Sequence, residues 1–212
     1  MLDKKLNDFF ITGKLITMGI ALMLILSACG GQPAATGATS YIATLEGAPA
    51  SARIGIVVED GKFKAYVCSL DDAFNLTSAR WYEGELDSYG AFKLVSSDGV
   101  ELAGSIKGDQ FTGTLINIQK VSMAFNGTAV TSGAPTGLYR GTGQYNNEEV
   151  IVGAVISADG AFASTTQYKG RFEFVTPIGA EPVKLSDNTL GIKLGSNGEQ
   201  ITVTLVTTLK GQ

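Results

Sequence analysis

The chain has 212 residues, of which 44% are hydrophobic and 17% charged, and its formal net charge is −4. That apolar fraction excludes a disordered protein, and the length suits one domain or two small ones. The negative charge argues against a nucleic-acid-binding surface. The sequence contains no histidine, which excludes Ser-His-Asp and Cys-His catalysis and any zinc site that uses imidazole.

Residues 1–28 are organised like a bacterial signal peptide. Lys4, Lys5 and Lys14 form a basic segment, and the run 15–26 that follows carries no charge. This run would rise about 18 Å as a helix, which is too short to cross the hydrocarbon core of a bilayer. The hydrophobic region of a signal peptide therefore fits it better than a permanent transmembrane helix.

The end of this segment, Leu26-Ser27-Ala28-Cys29, resembles the lipobox of bacterial lipoproteins. The resemblance implies that the thiol of Cys29 receives a diacylglyceryl group and that a signal peptidase recognises Leu26, Ser27 and Ala28. Cleavage before Cys29 would free an amino group for a further acyl chain such as palmitate. Two acyl chains hold a protein stably on a membrane. We therefore expect an extracytoplasmic protein anchored to the cell membrane or the outer membrane, with residues 29–40 as a lipidated, flexible tether.

Residues 41–212 have the pattern of a single β-domain. Apolar side chains repeatedly alternate with polar ones, which is typical of antiparallel strands with one solvent-exposed face. Examples are Ile54, Ile56 and Val58; Phe63, Ala65 and Val67; Ile201, Val203 and Leu205. Turn-forming dipeptides lie between such runs, at Asp60-Gly61, Asp98-Gly99, Asp159-Gly160 and Asn197-Gly198. The sequence predicts an all-β fold, an antiparallel meander that forms a barrel or a two-sheet sandwich. The apolar run 149–156 predicts a strand buried on both faces.

A weak internal repeat relates residues 41–131 to residues 138–210. Each unit begins at a tyrosine, Tyr41 or Tyr139, and reaches its first Asp-Gly turn after a similar interval. A Tyr-x-Gly motif follows at Tyr82 in the first unit and at Tyr168 in the second. The repeat predicts one domain of two similar halves, because either half alone would leave long unpaired edges.

Several short motifs lie between residues 53 and 141. They are Ala65-Tyr66-Val67-Cys68, Trp81 with Gly84, Ser97-Asp98-Gly99-Val100-Glu101-Leu102, Phe111-Thr112-Gly113 and Gly137-Leu138-Tyr139-Arg140. In these motifs the chain is similar to a broad group of uncharacterised secreted bacterial β-domains. The resemblance implies the fold and the envelope location, and it transfers no functional site.

Trp81 and Tyr82 are the candidate ligand-binding residues. With Tyr89 and Phe92 they form the densest aromatic group of the chain, and aromatic rings supply a large contact area for a carbohydrate or an apolar ligand. The alternative is that these rings belong to the hydrophobic core, since alternation points some of them inward.

For three polar groupings we prefer a structural interpretation over a functional one. Cys68 is expected to be a partly buried strand cysteine, because no histidine is present to activate it and nearby carboxylates would raise its pKa. The segment 69–77, with Asp71, Asp72 and Asn75, is expected to be a solvated turn. Residues 146–149 are expected to be a polar hairpin tip. Cation binding is the alternative for both segments.

Glu83 and Glu85 would share one face of a strand, as the carboxylates of a glycosidase must share a cleft. We prefer a solvent-exposed pair, and we expect no catalytic residue, metal or cofactor.

The sequence therefore predicts a lipid-anchored, non-enzymatic binding module of the cell envelope. Its expected partners are the membrane, through the lipid on Cys29, and an envelope protein or glycan, with no nucleic acid. The alternatives are a barrel that carries a small apolar ligand and a carboxylate-based hydrolase.

Overall fold

A computed structural model of the chain describes residues 37–171, 174–175, 181–194 and 199–209. The predicted signal peptide, the lipobox Leu26 to Cys29 and the tether as far as residue 36 lie outside these residues, as does the predicted turn at Asn197-Gly198. The first strand begins at Thr39. The last two residues of the predicted tether therefore belong to the folded domain.

The described residues form fifteen strands and one short helix. In chain order these are β1 Thr39–Leu45, β2 Arg53–Glu59, β3 Lys62–Cys68, α1 Asp72–Ser78, β4 Trp81–Glu85, β5 Ala91–Val95, β6 Glu101–Lys107, β7 Gln110–Ile116, β8 Ser122–Val130, β9 Gly137–Tyr145, β10 Glu148–Ile156, β11 Phe162–Tyr168, β12 Phe174–Val175, β13 Val183–Lys184, β14 Thr189–Leu194 and β15 Glu199–Leu205. Every strand pair is antiparallel. The all-β prediction is confirmed. No helix of the described ranges is long and apolar enough to cross a membrane.

The first half of the domain is a nearly closed, barrel-like sheet. Its eight strands follow the order β4-β3-β2-β1-β8-β7-β6-β5. The first strand of the half, β1, pairs with its last strand, β8, and the two edges of the sheet are β4 and β5. Phe63 of β3 and Phe92 of β5 pack across this seam with ring centroids 4.7 Å apart. At Gly84 of β4, a Cβ atom would lie 3.2 Å from Leu94 of β5. Side-chain packing therefore closes the sheet where the hydrogen-bond ladder stops.

Aromatic side chains fill the interior of the first half. Phe111 and Phe125 pack at 4.7 Å, and Phe111 also approaches Phe92 at 6.3 Å. Gly104 and Gly113 are opposite each other on β6 and β7, and a Cβ atom at either would lie within 3.0 Å of the Phe125 ring. This glycine pair leaves the space that the ring occupies, which explains two glycines inside strands.

The second half repeats the connectivity of the first. Its seven strands follow the order β12-β11-β10-β9-β15-β14-β13, with the first and last strands of the half again paired. Tyr41 in β1 and Tyr139 in β9 occupy equivalent positions, since each faces the interior of its own half. Tyr82 and Tyr168 are not equivalent, because Tyr82 lies in the fourth strand of its half and Tyr168 ends the third.

The two halves pack through equivalent faces. The outward side chains of β1–β3 contact those of β9–β11 in one buried cluster. It contains Ile42, Val57, Tyr66, Cys68, Leu138, Val155, Ala163 and Val206. Thr208 and Leu209 return to the first half, where both donate hydrogen bonds to Glu59 Oε2, at 3.0 and 2.7 Å.

This arrangement explains the long apolar run of β10. One face of β10 lines the interior of the second half, through Val152 and Ala154, and the other packs on the first half through Val155. The prediction of a strand buried on both faces is confirmed.

Candidate functional site

Trp81 and Tyr82 lie on opposite faces of β4, because neighbouring residues of a strand alternate between faces. Tyr82 is 4% exposed and packs in the interior of the first half with Phe92, and burial raises the pKa of its phenol well above the ordinary value. Tyr89 projects into solvent. Trp81 is half-buried and faces the second half. The structure does not bring the predicted pair together, and Trp81 is the member that remains a candidate.

The ring of Trp81 stacks on that of Tyr66. The two residues are opposite each other on β4 and β3, with ring centroids 4.2 Å apart and planes inclined by 19°. Tyr66 is fully buried, and its ring lies over Gly153 of β10, where a Cβ atom would be 2.2 Å from a ring carbon. Gly153 therefore allows the second half to approach this aromatic pair.

Arg140 of β9 approaches Trp81 from the second half. Its guanidinium carbon is 5.4 Å from the centroid of the indole ring, within the range of a cation–π interaction. Arg140 and Thr165 flank Gly153 in the ladders of β9, β10 and β11. The four side chains Tyr66, Trp81, Arg140 and Thr165 thus meet where the halves join, and they are called the junction cluster below.

The junction cluster contains four buried polar atoms that have no hydrogen-bond partner in the described part of the chain. These atoms are Tyr66 Oη, Trp81 Nε1, Arg140 Nε and Thr165 Oγ1. Each can donate a hydrogen bond. A buried polar group without a partner costs about 1–3 kcal/mol, so a cluster of four requires an explanation.

The phenol of Tyr66 keeps its proton and can therefore donate a hydrogen bond. Burial raises the pKa of Tyr66 well above its ordinary value, nearby Cys68 raises it further, and Arg80 acts in the opposite direction. The phenol is therefore protonated at neutral pH. The guanidinium of Arg140, which lies against the Trp81 ring, adds a positive charge to these donors.

Cys68 is more completely buried than the sequence suggested. It ends β3 with no exposed surface, and its Sγ donates a hydrogen bond to the carbonyl oxygen of Ala163 at 3.5 Å. Burial, rather than the nearby carboxylates that we had expected to act, raises the pKa of this thiol far above its ordinary value. The thiol is therefore protonated and unsuited to nucleophilic chemistry.

The segment after Cys68 is a helix, and the prediction of a solvated turn over residues 69–77 is wrong. Asp71 caps α1 by accepting a hydrogen bond from the backbone N–H of Phe74 at 2.7 Å. The Asn75 side chain is buried and bonds the backbone N–H and C=O of Ser69, both at 2.9 Å. Two of the three oxygen-bearing side chains considered for a cation are thus used to hold the helix.

Glu83 and Glu85 share a face of β4 as expected, and both form cross-strand ion pairs. Glu83 lies 3.1 Å from Lys64 Nζ, and Glu85 lies 3.9 Å from Lys62 Nζ. Both carboxylates are largely exposed. Each carboxylate is thus engaged by a lysine of β3 on an exposed face of the strand.

Residues 146–149 form the hairpin tip that was predicted. Asn146 and Asn147 have φ angles of 50° and 62°, as a two-residue hairpin turn requires. Glu148 and Glu149 begin β10 and form ion pairs with Arg171 and Lys169. These carboxylates are therefore engaged by the neighbouring strand connection.

Two surface depressions lie away from the junction cluster. One, of about 430 Å³, is lined by apolar side chains at the end of the first half, including Phe74, Leu76 and Val121. The other, of about 490 Å³, is more polar and lies between β1, β8 and the turn after β10. Each offers a contact surface, and neither is lined by a residue of the junction cluster.

Comparison with known proteins gives no relative for this chain: no family model, curated protein or solved structure matches it.

Sequence reasoning missed Tyr66, Arg140 and Thr165. Strand alternation alone could have separated Trp81 from Tyr82. Tyr66 and Arg140 lie in two of the short motifs quoted from the sequence, but those motifs implied no functional role. No local pattern reports that β3 and β10 cross at Gly153, because that contact joins the two halves of the chain.

Proposed function

We propose that this protein is a lipid-anchored β-domain of the cell envelope that acts as a non-enzymatic binding module. The motif Leu26-Ser27-Ala28-Cys29, placed directly after a basic and an apolar segment, supports the anchor. The junction cluster carries the binding role, because buried donors without partners are unfavourable for folding and suit the recognition of a ligand.

The described chemistry favours binding over catalysis. The only thiol among the described residues is Cys68, which is buried and protonated. The carboxylate pair Glu83 and Glu85, on which a hydrolase would depend, forms ion pairs with two lysines. The sequence has no histidine to act as a general base.

The interior of the first half favours recognition at the surface over carriage of an apolar ligand. Phe63, Phe92, Phe111 and Phe125 pack within it at ring distances between 4.7 and 6.3 Å. A carrier needs an apolar cavity of several hundred Å³, roughly the volume of a small ligand. The rings occupy the space that such a ligand would need in this half.

Metabolic labelling with a clickable palmitate analogue tests the anchor. The full chain, expressed in a bacterium that processes lipoproteins, should incorporate the label and fractionate with membranes. Cys29→Ala should lose both properties, because it removes the acceptor thiol. Cys68→Ala is the matched control, since it removes the other cysteine and should be labelled like the wild type. Equal labelling of Cys29→Ala and the wild type would contradict the proposal.

A further inference from the structure

The four arginines of the chain differ in how the fold uses them. Arg53 donates to the carbonyl oxygens of Ala50 and Ala52, and Arg171 pairs with Glu148. Arg140 makes no hydrogen bond or ion pair within the described ranges, and its contact is with the face of Trp81.

Arg80 shows how this fold satisfies a structural guanidinium. It is 3% exposed, its Nε and Nη2 both donate to Asp98 Oδ2, and its remaining donors reach the carbonyl oxygens of Ala79 and Leu76. A charge that is buried for stability thus receives a carboxylate and backbone acceptors. Arg140 is half-buried, and within the described ranges it receives neither a carboxylate nor a backbone acceptor.

The other polar atoms of the junction cluster add donors and little accepting capacity. The indole Nε1–H of Trp81 can only donate, and the hydroxyls of Tyr66 and Thr165 can donate as well as accept. A ligand that pairs with Arg140 and Trp81 must accept hydrogen bonds, and the guanidinium favours a ligand that carries negative charge. A cation would be repelled, and a neutral amide or sugar would bring donors of its own.

We propose that the junction cluster binds a carboxylate, with Arg140 as its principal ligand and Trp81 beside it. The guanidinium presents two parallel N–H groups, which match the two oxygens of a carboxylate. Arg140 and Trp81 are half-buried, so parts of both side chains face solvent, whereas Tyr66 and Thr165 are buried. This inference rests on the proposed binding role and does not depend on the lipid anchor.

Trp81 is the only tryptophan of the chain, so its fluorescence reports on the site without labelling. The protein to use is the chain from residue 29 onwards with Cys29→Ser, because every described residue is retained and residues 35–212 form one compact unit. Succinate is the probe, titrated at constant ionic strength maintained with sodium chloride. We expect a saturable change in Trp81 emission as the carboxylate engages the guanidinium that lies over the indole ring.

Two variants separate a specific site from a general charge effect. Arg140→Gln should weaken succinate binding at least about tenfold, because it removes a charge-assisted hydrogen bond. Arg171→Gln is the matched control: it also removes an arginine that stacks on an aromatic ring, Tyr168, and should leave the titration unchanged. Near-ultraviolet circular dichroism should show the same folded state in both variants.

Three outcomes would overturn the inference. They are the absence of a saturable response to succinate, an equal response in wild type and Arg140→Gln, and saturation by inorganic phosphate without saturation by succinate. Palmitate labelling at Cys29 is independent of all three. If the titration fails and the labelling is intact, the carboxylate ligand is rejected and the proposed lipid anchor is unaffected.

Discussion

The two halves of this domain share a connectivity but differ in how completely they satisfy their buried polar groups. In the first half, the hydroxyl of Tyr41 donates to the carbonyl oxygen of Gly108 at 3.1 Å. Its counterpart in the second half, Tyr139, is fully buried and its hydroxyl has no partner in the described part of the chain. Burial raises the pKa of Tyr139 to about 12, so the phenol keeps its proton and its need for an acceptor.

The same contrast extends to the other buried polar atoms. Of those without a partner among the described residues, Tyr82 belongs to the interior of the first half, and Tyr139, Ser164 and Thr166 to the second half. The remaining four form the junction cluster. The first half is thus organised for stability, whereas unsatisfied polar groups concentrate in the second half and where the halves meet. Natural proteins tolerate such costs at functional sites.

The largest effect should follow from breaking the ion pair of Arg80 in the first half. Asp98→Ala removes the carboxylate that accepts two hydrogen bonds from this buried guanidinium. Stranding a buried charge costs about 3–5 kcal/mol. Urea unfolding should show this loss, and Glu85→Ala, which removes an exposed pair at 3.9 Å, should cost less than about 1 kcal/mol. Equal losses in the two variants would contradict the role assigned to Arg80.

A methyl group at the junction should have the next largest effect. Gly153→Ala would place Cβ 2.2 Å from the Tyr66 ring, whereas the nearest atom to a Cβ at Gly55, on the opposite half, is 3.0 Å away. We expect Gly153→Ala to cost about 1–3 kcal/mol by overpacking and Gly55→Ala to cost less. Unfolding free energies of both variants check this order, and the reverse order would show that Tyr66 does not lie over Gly153.

The equivalent tyrosines should respond differently to loss of their hydroxyls. Tyr41→Phe removes a hydrogen bond and should destabilise the protein by about 0.5–1.5 kcal/mol. Tyr139→Phe removes a hydroxyl that has no partner, so it should be neutral or slightly stabilising. Denaturant unfolding of the two variants tests the contrast between the halves. A loss of stability in Tyr139→Phe as large as that in Tyr41→Phe would contradict this contrast between the halves.

The Arg80–Asp98 pair also makes the stability depend on pH. Burial alone would raise the pKa of Asp98, but hydrogen bonds from Arg80 and Ser96 outweigh it and hold the pKa below its ordinary value. The contribution of this carboxylate is therefore present above its unfolded pKa of about 4, and it is lost as the pH falls through the folded value. The difference in unfolding free energy between wild type and Asp98→Asn should shrink as the pH falls through this range. A constant difference would exclude the mechanism.

Much of the fold could be predicted from the sequence because strands and turns leave local patterns. The Asp60-Gly61 pair adopts φ angles of 52° and 77°, as a tight hairpin requires, and the apolar run of β10 reports burial on both faces. Helix α1 was missed because its seven residues give too few turns for a helical period. The sequence signal for this helix was its N-cap residue, Asp71, which is equally typical of a solvated turn.

The candidate site could be predicted only in part. Trp81 was identified by its residue type, and its pairing with Tyr82 was an error that strand alternation could have prevented. Arg140 could not be connected to Trp81, because the two residues belong to different sheets. Their contact depends on how the outer faces of β1–β3 and β9–β11 pack, which no spacing along one strand records.

On the proposed role, Arg140 serves recognition and not stability. The most direct test is the unfolding free energy of Arg140→Met, which replaces a guanidinium whose Nε has no partner in the described part of the chain by an apolar side chain of similar length. A half-buried charge without a carboxylate partner adds little stability, so the variant should unfold at the same urea concentration as the wild type or at a higher one. A loss of more than about 1 kcal/mol, the size of an ordinary hydrogen bond, would contradict the claim and show that Arg140 holds the halves together.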